Sequence, residues 1–508
     1  MATPIPENLA KFRAGDVART LGSSLSNPDS ADVVLEGATT DSRVAIARPG
    51  GIFVALVGER LDGHAFLAQV DGLAGLVICE KGRSHRVTKS LVVEVPDTLA
   101  AWGALAASHL AEWRSTSLEK RVLAVTGSAG KTTTKELLAA LLAASSEVVG
   151  GPSPSVQKTR GNLNNRIGMP ATVFTVERGH AFAVLELGMS IPGEIAAMAA
   201  IASPDVSIVT NVGVAHSEGV GGREGVAKEK GDLFAGTRSS GVVVVNADCK
   251  YSVREAKRTQ AKTIVTFGSA SEANYKLLAR SVDDVLGATL AVSRPPIRDA
   301  ASDLLTIRFP FLGEHAALDL VAALAATEAA LGRRLRRDEI EASFTRTELS
   351  GRGNLLVLPS GIFVIDDTYN ANPASMAAAL QTLKEVGELA SRRKVAVLGE
   401  MKELGALAEA EHDALGDAVI AANVDVFVSC GGLVSRAAQK TRAAGLPTFE
   451  YMSAEEAASF VTSHLDPSDI VLVKGSRSIA TEKVVAALVA RDEAARVRAD
   501  APAGDRGV

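Results

Sequence analysis

The chain has 508 residues, of which 47% are hydrophobic, 22% charged and only 4% aromatic, and its formal net charge is −5. That length is too great for one core and suggests about three domains at roughly 150 residues each. The charge balance excludes the basic footprint of a nucleic-acid binder, and no run of about 18 apolar residues offers a membrane span.

The N-terminal stretch "MATPIPENLAKFRAGDV" lacks the continuous apolar segment of a signal peptide. Short strands and turns follow in "DVVLEGATT", "GIFVAL", "GLVICE" and "SLVVEV", closed by the helical "TLAAWGALAASHLAEW". These predict a small α/β domain over residues 1–115. From about 116 to 335 buried strands alternate with helices: "RVLAVT", "AFAVLEL", "DVSIVTNVG", "GVVVVNAD" and "KTIVTFG". Continuous β-branched runs between helices predict a mainly parallel sheet covered on both faces. The stretch "AVSRPPIRDAASDLL" reads as a surface excursion, and "HAALDLVAALAATEAALG" as the helix leading out. A second doubly wound, Rossmann-like series occupies 336–492, and the charged, Ala-rich residues 493–508 read as a flexible tail. Cys79, Cys249 and Cys430 are far apart and form no C-x-x-C pair, as expected of reduced thiols in a cytoplasmic protein; a monomer is expected.

The chemistry begins at "RVLAVTGSAGKTTTK". A phosphate-binding loop usually reads G-x-x-x-x-G-K-[ST]. Here Val125 stands at the first glycine position, and Gly127 and Gly130 lie two residues closer together than the template asks. A strand ending in Val125, a turn over Thr126, Gly127, Ser128, Ala129 and Gly130, and a helix opening at Lys131 still satisfy the geometry. Backbone N–H groups and the helix N-terminus form an anion site. Lys131 can then reach the β- and γ-phosphates, while the Thr132 hydroxyl faces Mg²⁺ and Thr133 extends the turn.

Glu186 ends the strand "AFAVLEL", where a carboxylate would face the phosphates. His216 follows the next strand in "NVGVAHSEGVGG", at the edge where α/β sheets bind ligands. Lys228 and Lys230 lie on the helix after it and could equally form a solvated face.

The compact loop resembles the ATP site of the Mur ligases and their folylpolyglutamate synthetase relatives, which form amide bonds. In Mur ligases a lysine after this histidine is carboxylated by CO₂ and helps to hold a second Mg²⁺; Lys230 lies fourteen positions after His216 and has the family's spacing. The resemblance covers nearly the whole chain. "TTDSR", with Ser42 and Arg43, resembles the segment that holds the UDP-sugar. "GNLNNRIGMP", with Asn162, Asn164 and Asn165, resembles the loop beside the muramoyl-peptide. "SGRGNLLVLPSGIFVIDDTYNANPASM" resembles the ATP-facing part of the C-terminal domain, with Arg352, Asp367, Tyr369, Asn370 and Asn372, and "VLVKGSRS" adds Lys474 and Arg477. The "DDTYNANPASM" run is similar to the branch of the family that adds D-Ala-D-Ala.

That resemblance implies an ATP-dependent ligase joining D-Ala-D-Ala to the terminal carboxylate of UDP-MurNAc-tripeptide through an acyl phosphate. It implies two Mg²⁺ ions: one held by Thr132 and Glu186, the other by His216 and carboxylated Lys230. Lys131, Glu186, His216 and Lys230 would be the catalytic set. Asp367 and Asn370 would meet the nucleotide, with Lys474 and Arg477 nearer the dipeptide. Two departures stand out. The helix that begins G-x-H-N-x-x-N in the family reads "GEHAALD" here, with Ala316 and Asp319 at the asparagine positions, so its adenine contacts are not carried over. Arg166 stands where the family's asparagine loop commonly has an acid. Two alternatives remain: a sister ligase adding a single amino acid, and a nucleotide-binding scaffold without turnover.

Overall fold

The computed structural model describes residues 3–58, 61–145, 155–213, 219–284, 287–297, 301–347, 349 and 351–500. Near the N-terminus a two-stranded antiparallel ribbon pairs Lys11–Arg13 with Val34–Glu36. Beside it is a four-stranded parallel sheet in the order Ala38–Thr39, Ile52–Val54, Leu76–Glu80, Leu91–Val95. The helix Thr98–Ser115 follows, its start capped by the Asp97 carboxylate, which accepts from the Leu99 and Ala100 N–H groups. This helix is where the first two domains join. Trp102 donates its indole N–H to the Ile167 carbonyl at 3.0 Å, and Trp113 donates to the His180 carbonyl at 3.1 Å. Leu35, Trp102, Phe174 and Ile195 consequently belong to one continuous apolar cluster.

The central domain is a nine-stranded sheet. From one edge the order is Asp303–Phe309, Gly287–Arg294, Tyr275–Asp284, Thr263–Gly268, Val242–Asn246, Val206–Val209, Arg121–Thr126, His180–Glu186, Ser155–Lys158. Seven strands, from Ser155–Lys158 to Tyr275–Asp284, run parallel, and the last two are antiparallel additions. The stretch expected to be a surface excursion therefore supplies strand on either side of a short connection. Its sequence alternates, with Leu290, Val292, Leu305 and Ile307 buried, as a sheet with one wet face requires. The helix Glu314–Leu331 seals the inner face with Leu320, Leu324 and a run of alanines.

In the C-terminal domain six strands are ordered Asn354–Val357, Phe363–Asp367, Asp469–Lys474, Arg393–Gly399, Val426–Cys430, Thr448–Tyr451. All are parallel except the first. The last helix, Glu482–Asp500, runs through the region expected to be a tail from 493; residues 501–508 lie outside the described residues. No helix among the described residues is long and apolar enough to cross a membrane.

Candidate active site

The strand Arg121–Thr126 is buried and central, and it delivers the chain into the loop at the C-terminal edge of the sheet. The Thr126 hydroxyl donates to the Leu187 carbonyl at 2.7 Å, tying the strand end to its neighbour. Both glycines of the compact loop are required. A Cβ on Gly127 would fall 1.8 Å from Thr210 Oγ1. Gly130 has φ +78° and caps the helix Lys131–Ala144; a Cβ there would fall 2.3 Å from Asp319 Oδ1. The next strand's exit holds the turn, since the Ser128 N–H donates to the Asn211 carbonyl and the Ala129 N–H to Asn211 Oδ1. Shortening the template thus leaves a rigid anion cradle, and Val125 serves only as the last buried strand residue.

Around this cradle the charged groups are buried and interlocked. Lys131 Nζ donates to the Gly127 carbonyl at 2.8 Å. Burial lowers its pKa, the Arg352 charge adds to that, and the Glu186 carboxylate offsets part of it. Thr132 donates its hydroxyl to Glu186 Oε2 at 2.8 Å, and Asn164 Nδ2 donates to Oε1 at 3.0 Å. Lys135, one helical turn beyond Lys131, lies 3.7 Å from Glu186 Oε2, donates to the Thr159 carbonyl and pairs with Glu136. Burial would raise the Glu186 pKa, but Lys135, Lys131 and Arg352 outweigh it and hold the carboxylate below its ordinary value. Thr133 is buried in the same turn.

Lys230 is 1% exposed on the helix Gly222–Ala235. Burial and the Lys131 charge push its pKa well below the ordinary lysine value, against a partial offset from Glu229. A lowered pKa favours the neutral amine, the form that adds CO₂. His216 lies outside the described residues. Among the described residues no three His, Cys, Asp or Glu side chains converge into a cage for a metal. One carboxylate with a hydroxyl is, however, the sparse oxygen set that suits Mg²⁺ carrying waters and substrate phosphates.

The C-terminal domain closes the site from above. The Arg352 guanidinium lies 3.8 Å from the centre of the Tyr369 ring, and its charge is felt at Glu186, Lys131 and Asp319. Asn372 caps the helix Pro373–Leu389 through Oδ1, and its Nδ2 makes a long hydrogen bond, 3.4 Å, to the Ser128 carbonyl. Lys474 is buried, donating to Asp367 Oδ2 at 2.6 Å and to the Asn370 carbonyl at 2.8 Å. Arg280 and Glu385 pair across the domains at 2.8 Å.

Other expected residues lie outside this cluster. Ser42 and Arg43 open a short helix in the N-terminal domain, where Arg43 pairs with Asp41. Asn165 caps the backbone of Ile167 and Gly168, and Asn162 accepts from the Thr3 N–H. Arg477 is half exposed, 5.9 Å from the Tyr369 ring centre.

The sequence reading did not single out Asn211, Thr210 or Lys135. Only the "TNVG" following a buried strand hinted at the first two. Asp319 acquires a definite place: it is 7% exposed against Gly130, and among the described residues its Oδ2 has no hydrogen-bond partner. Burial raises its pKa well above the ordinary value, and the nearby Thr134 hydroxyl and the Arg352 charge offset this only in part.

Comparison with known proteins agrees with this geometry. Residues 125–327 match the Mur ligase middle domain, and residues 351–477 match the Mur ligase, glutamate ligase domain. The UDP-N-acetylmuramoyl-tripeptide--D-alanyl-D-alanine ligase of Bacillus subtilis is 31% identical over 491 residues, spanning 95% of this chain and 99% of that one. The chain belongs to the Mur ligase family. Among solved structures, MurF from Acinetobacter baumannii is 30% identical with a TM-score of 0.81, over 95% of this Mur ligase and 100% of that chain. A MurF ligase from Thermotoga maritima in complex with ADP is 26% identical with a TM-score of 0.74, over 90% and 98% of the two chains. This Mur ligase thus has the three-part α/β architecture that its sequence led us to expect.

Proposed function

We propose that this Mur ligase joins D-Ala-D-Ala to the terminal carboxylate of UDP-MurNAc-tripeptide at the expense of ATP, a cytoplasmic step of peptidoglycan synthesis. The observation that carries the reading is the interlock of Lys131, Thr132 and Glu186 under Arg352, which places one carboxylate and two cations at the mouth of an anion cradle. Two anions, the tripeptide carboxylate and the γ-phosphate, must approach each other, so fixed positive charge is the main catalytic need.

The backbone N–H groups from Gly130 to Thr133, at the start of the helix Lys131–Ala144, bind the phosphates, and Lys131 leaves the Gly127 carbonyl to meet them. Thr132 and Glu186 would hold one Mg²⁺; the carbamate of Lys230, with His216, would hold a second. Lys230, its pKa lowered by burial, adds CO₂ at its amine with release of a proton, which would put an oxygen donor where an ammonium would repel metal. The ions would supply charge neutralisation at the phosphoryl group. The tripeptide carboxylate oxygen attacks the γ-phosphorus and ADP leaves. The dipeptide amine then attacks the acyl carbon, the C–O bond to phosphate breaks, and an amide forms. Closure by Arg352, Tyr369, Asn370 and Asn372 keeps water from the acyl phosphate.

The test is phosphate release with ATP, Mg²⁺ and UDP-MurNAc-tripeptide, with and without D-Ala-D-Ala, in wild type and Lys230→Ala. Dipeptide-dependent release, lost in Lys230→Ala and partly restored by formate, is expected. Release that ignores the dipeptide but responds to single amino acids would move the assignment to a sister ligase.

A further inference from the structure

Ahead of the first strand the chain crosses from one domain to another. Residues 3–8 read T-P-I-P-E-N. Pro4 and Pro6 fix their own φ and keep Thr3 and Ile5 out of the helical region, which favours an extended path. Six extended residues reach about 20 Å, and a chain already stiffened by proline loses less freedom when it docks.

One end of this segment is held on the N-terminal domain. Asn8 serves Ala38 as a strand neighbour would: its Nδ2 donates to the Ala38 carbonyl at 2.8 Å, and its Oδ1 accepts from the Ala38 N–H at 3.1 Å. Glu7 pairs with Arg48 at 2.6 Å. The strand Ala38–Thr39 runs directly into the helix that opens with Ser42 and Arg43. Midway, Ile5 packs against the apolar cluster that the first two domains share.

The other end lies on the asparagine loop of the central domain. The Thr3 N–H donates to Asn162 Oδ1, and the Asn162 N–H donates to the Thr3 hydroxyl, both at 3.3 Å. Gly161, at φ +53°, makes room for this contact, since a Cβ there would fall 2.2 Å from Thr3 Oγ1. The Asn162 carbonyl accepts from the Asn164 N–H at 2.8 Å, and Asn164 Nδ2 donates to Glu186 at 3.0 Å. One short turn therefore links Thr3 to the carboxylate beside the phosphate cradle.

We propose that residues 3–8 form a strap that joins the UDP-sugar segment to the asparagine loop and fixes the Asn162 amide for the muramoyl-peptide, strengthening the binding of UDP-MurNAc-tripeptide. The inference rests on the reading given under Proposed function. The Thr3 N–H takes the amide oxygen of Asn162 and so leaves both Nδ2 donors for a ligand. Among the described residues those donors meet no acceptor, and a muramoyl-peptide brings carboxylates and carbonyls that need donors. With the strap undocked, the amide turns freely and the two substrate segments must be ordered when substrate arrives, which weakens binding. Thr3 is a positioning residue that acts through Asn162. By linkage, bound UDP-MurNAc-tripeptide holds the strap down in turn.

The experiment is steady-state kinetics of full-length wild type, Thr3→Ser, Thr3→Val and Thr3→Pro, with UDP-MurNAc-tripeptide varied at saturating ATP and D-Ala-D-Ala. Thr3→Val loses the hydroxyl and should raise KM for UDP-MurNAc-tripeptide by about twofold to tenfold, the loss expected for one neutral hydrogen bond. Thr3→Pro loses the N–H as well and should raise it further, while Thr3→Ser should match wild type. The kcat and the KM for ATP should stay put in all four proteins. UDP-MurNAc-tripeptide should also slow amide hydrogen exchange in residues 3–9 of wild type and not of Thr3→Pro. An unchanged KM in Thr3→Pro, a lowered one, as a segment competing with substrate would give, or exchange indifferent to substrate would overturn the proposal. Absence of dipeptide-dependent turnover in wild type would overturn the ligase reading beneath it instead.

Discussion

Replacing Gly130 by alanine tests why the compact loop works. The residue sits at φ +78°, where a non-glycine residue costs about 1–2 kcal/mol. The new Cβ would also lie 2.3, 2.8 and 2.9 Å from Asp319 Oδ1, Oδ2 and Cγ, and all three contacts are shorter than packing allows. Asp319 is buried, so it escapes only by leaving its rotamer, for about 0.5–1.5 kcal/mol. Together these come to about 1.5–3.5 kcal/mol against the loop conformation that binds phosphate, or a weakening of ATP binding by about tenfold to 400-fold. Calorimetric titration of ATP into the protein measures it directly. In an Asp319→Ala background the steric part disappears and only the backbone part, about 1–2 kcal/mol, remains. ATP affinity within twofold of the parent in both backgrounds would refute the argument.

Asp319→Asn should raise Tm, and more at pH 7 than near pH 4. The folded pKa lies above the ordinary 3.8, so the unfolded chain ionises first and stability is lost as pH rises from that value toward the folded pKa; equal Tm gains at both pH values would contradict this. Asn164→Ala removes a donor that orients Glu186 and should weaken Mg²⁺ activation about 10–100-fold, read from a Mg²⁺ titration at saturating ATP. Lys474→Met strands Asp367 and should destabilise the C-terminal domain by about 3–5 kcal/mol in urea unfolding.

Much of this was legible because the signals are local. A strand ending in Val125, followed by two glycines and Lys131, reads as a phosphate loop without the fold, and the strand–helix alternation reveals both doubly wound sheets. What escaped depends on neighbours distant in sequence. Lys135 looks like any helix residue until the fold sets the end of the strand His180–Glu186 beside it. Asp319 was visible as a departure, but its contact with Gly130 spans almost two hundred residues. The edge strands Gly287–Arg294 and Asp303–Phe309 were obscured because prolines and arginines cluster near the connection between them, while the alternation on either side carried the strand signal.

The account's central claim is that phosphate leaves with an oxygen from the tripeptide. UDP-MurNAc-tripeptide labelled with ¹⁸O in its terminal carboxylate, turned over with ATP and D-Ala-D-Ala, tests it by mass spectrometry of the released phosphate. An acyl phosphate predicts one ¹⁸O per phosphate. Unlabelled phosphate would mean that ATP is cleaved by water, and the proposed ligation would be wrong.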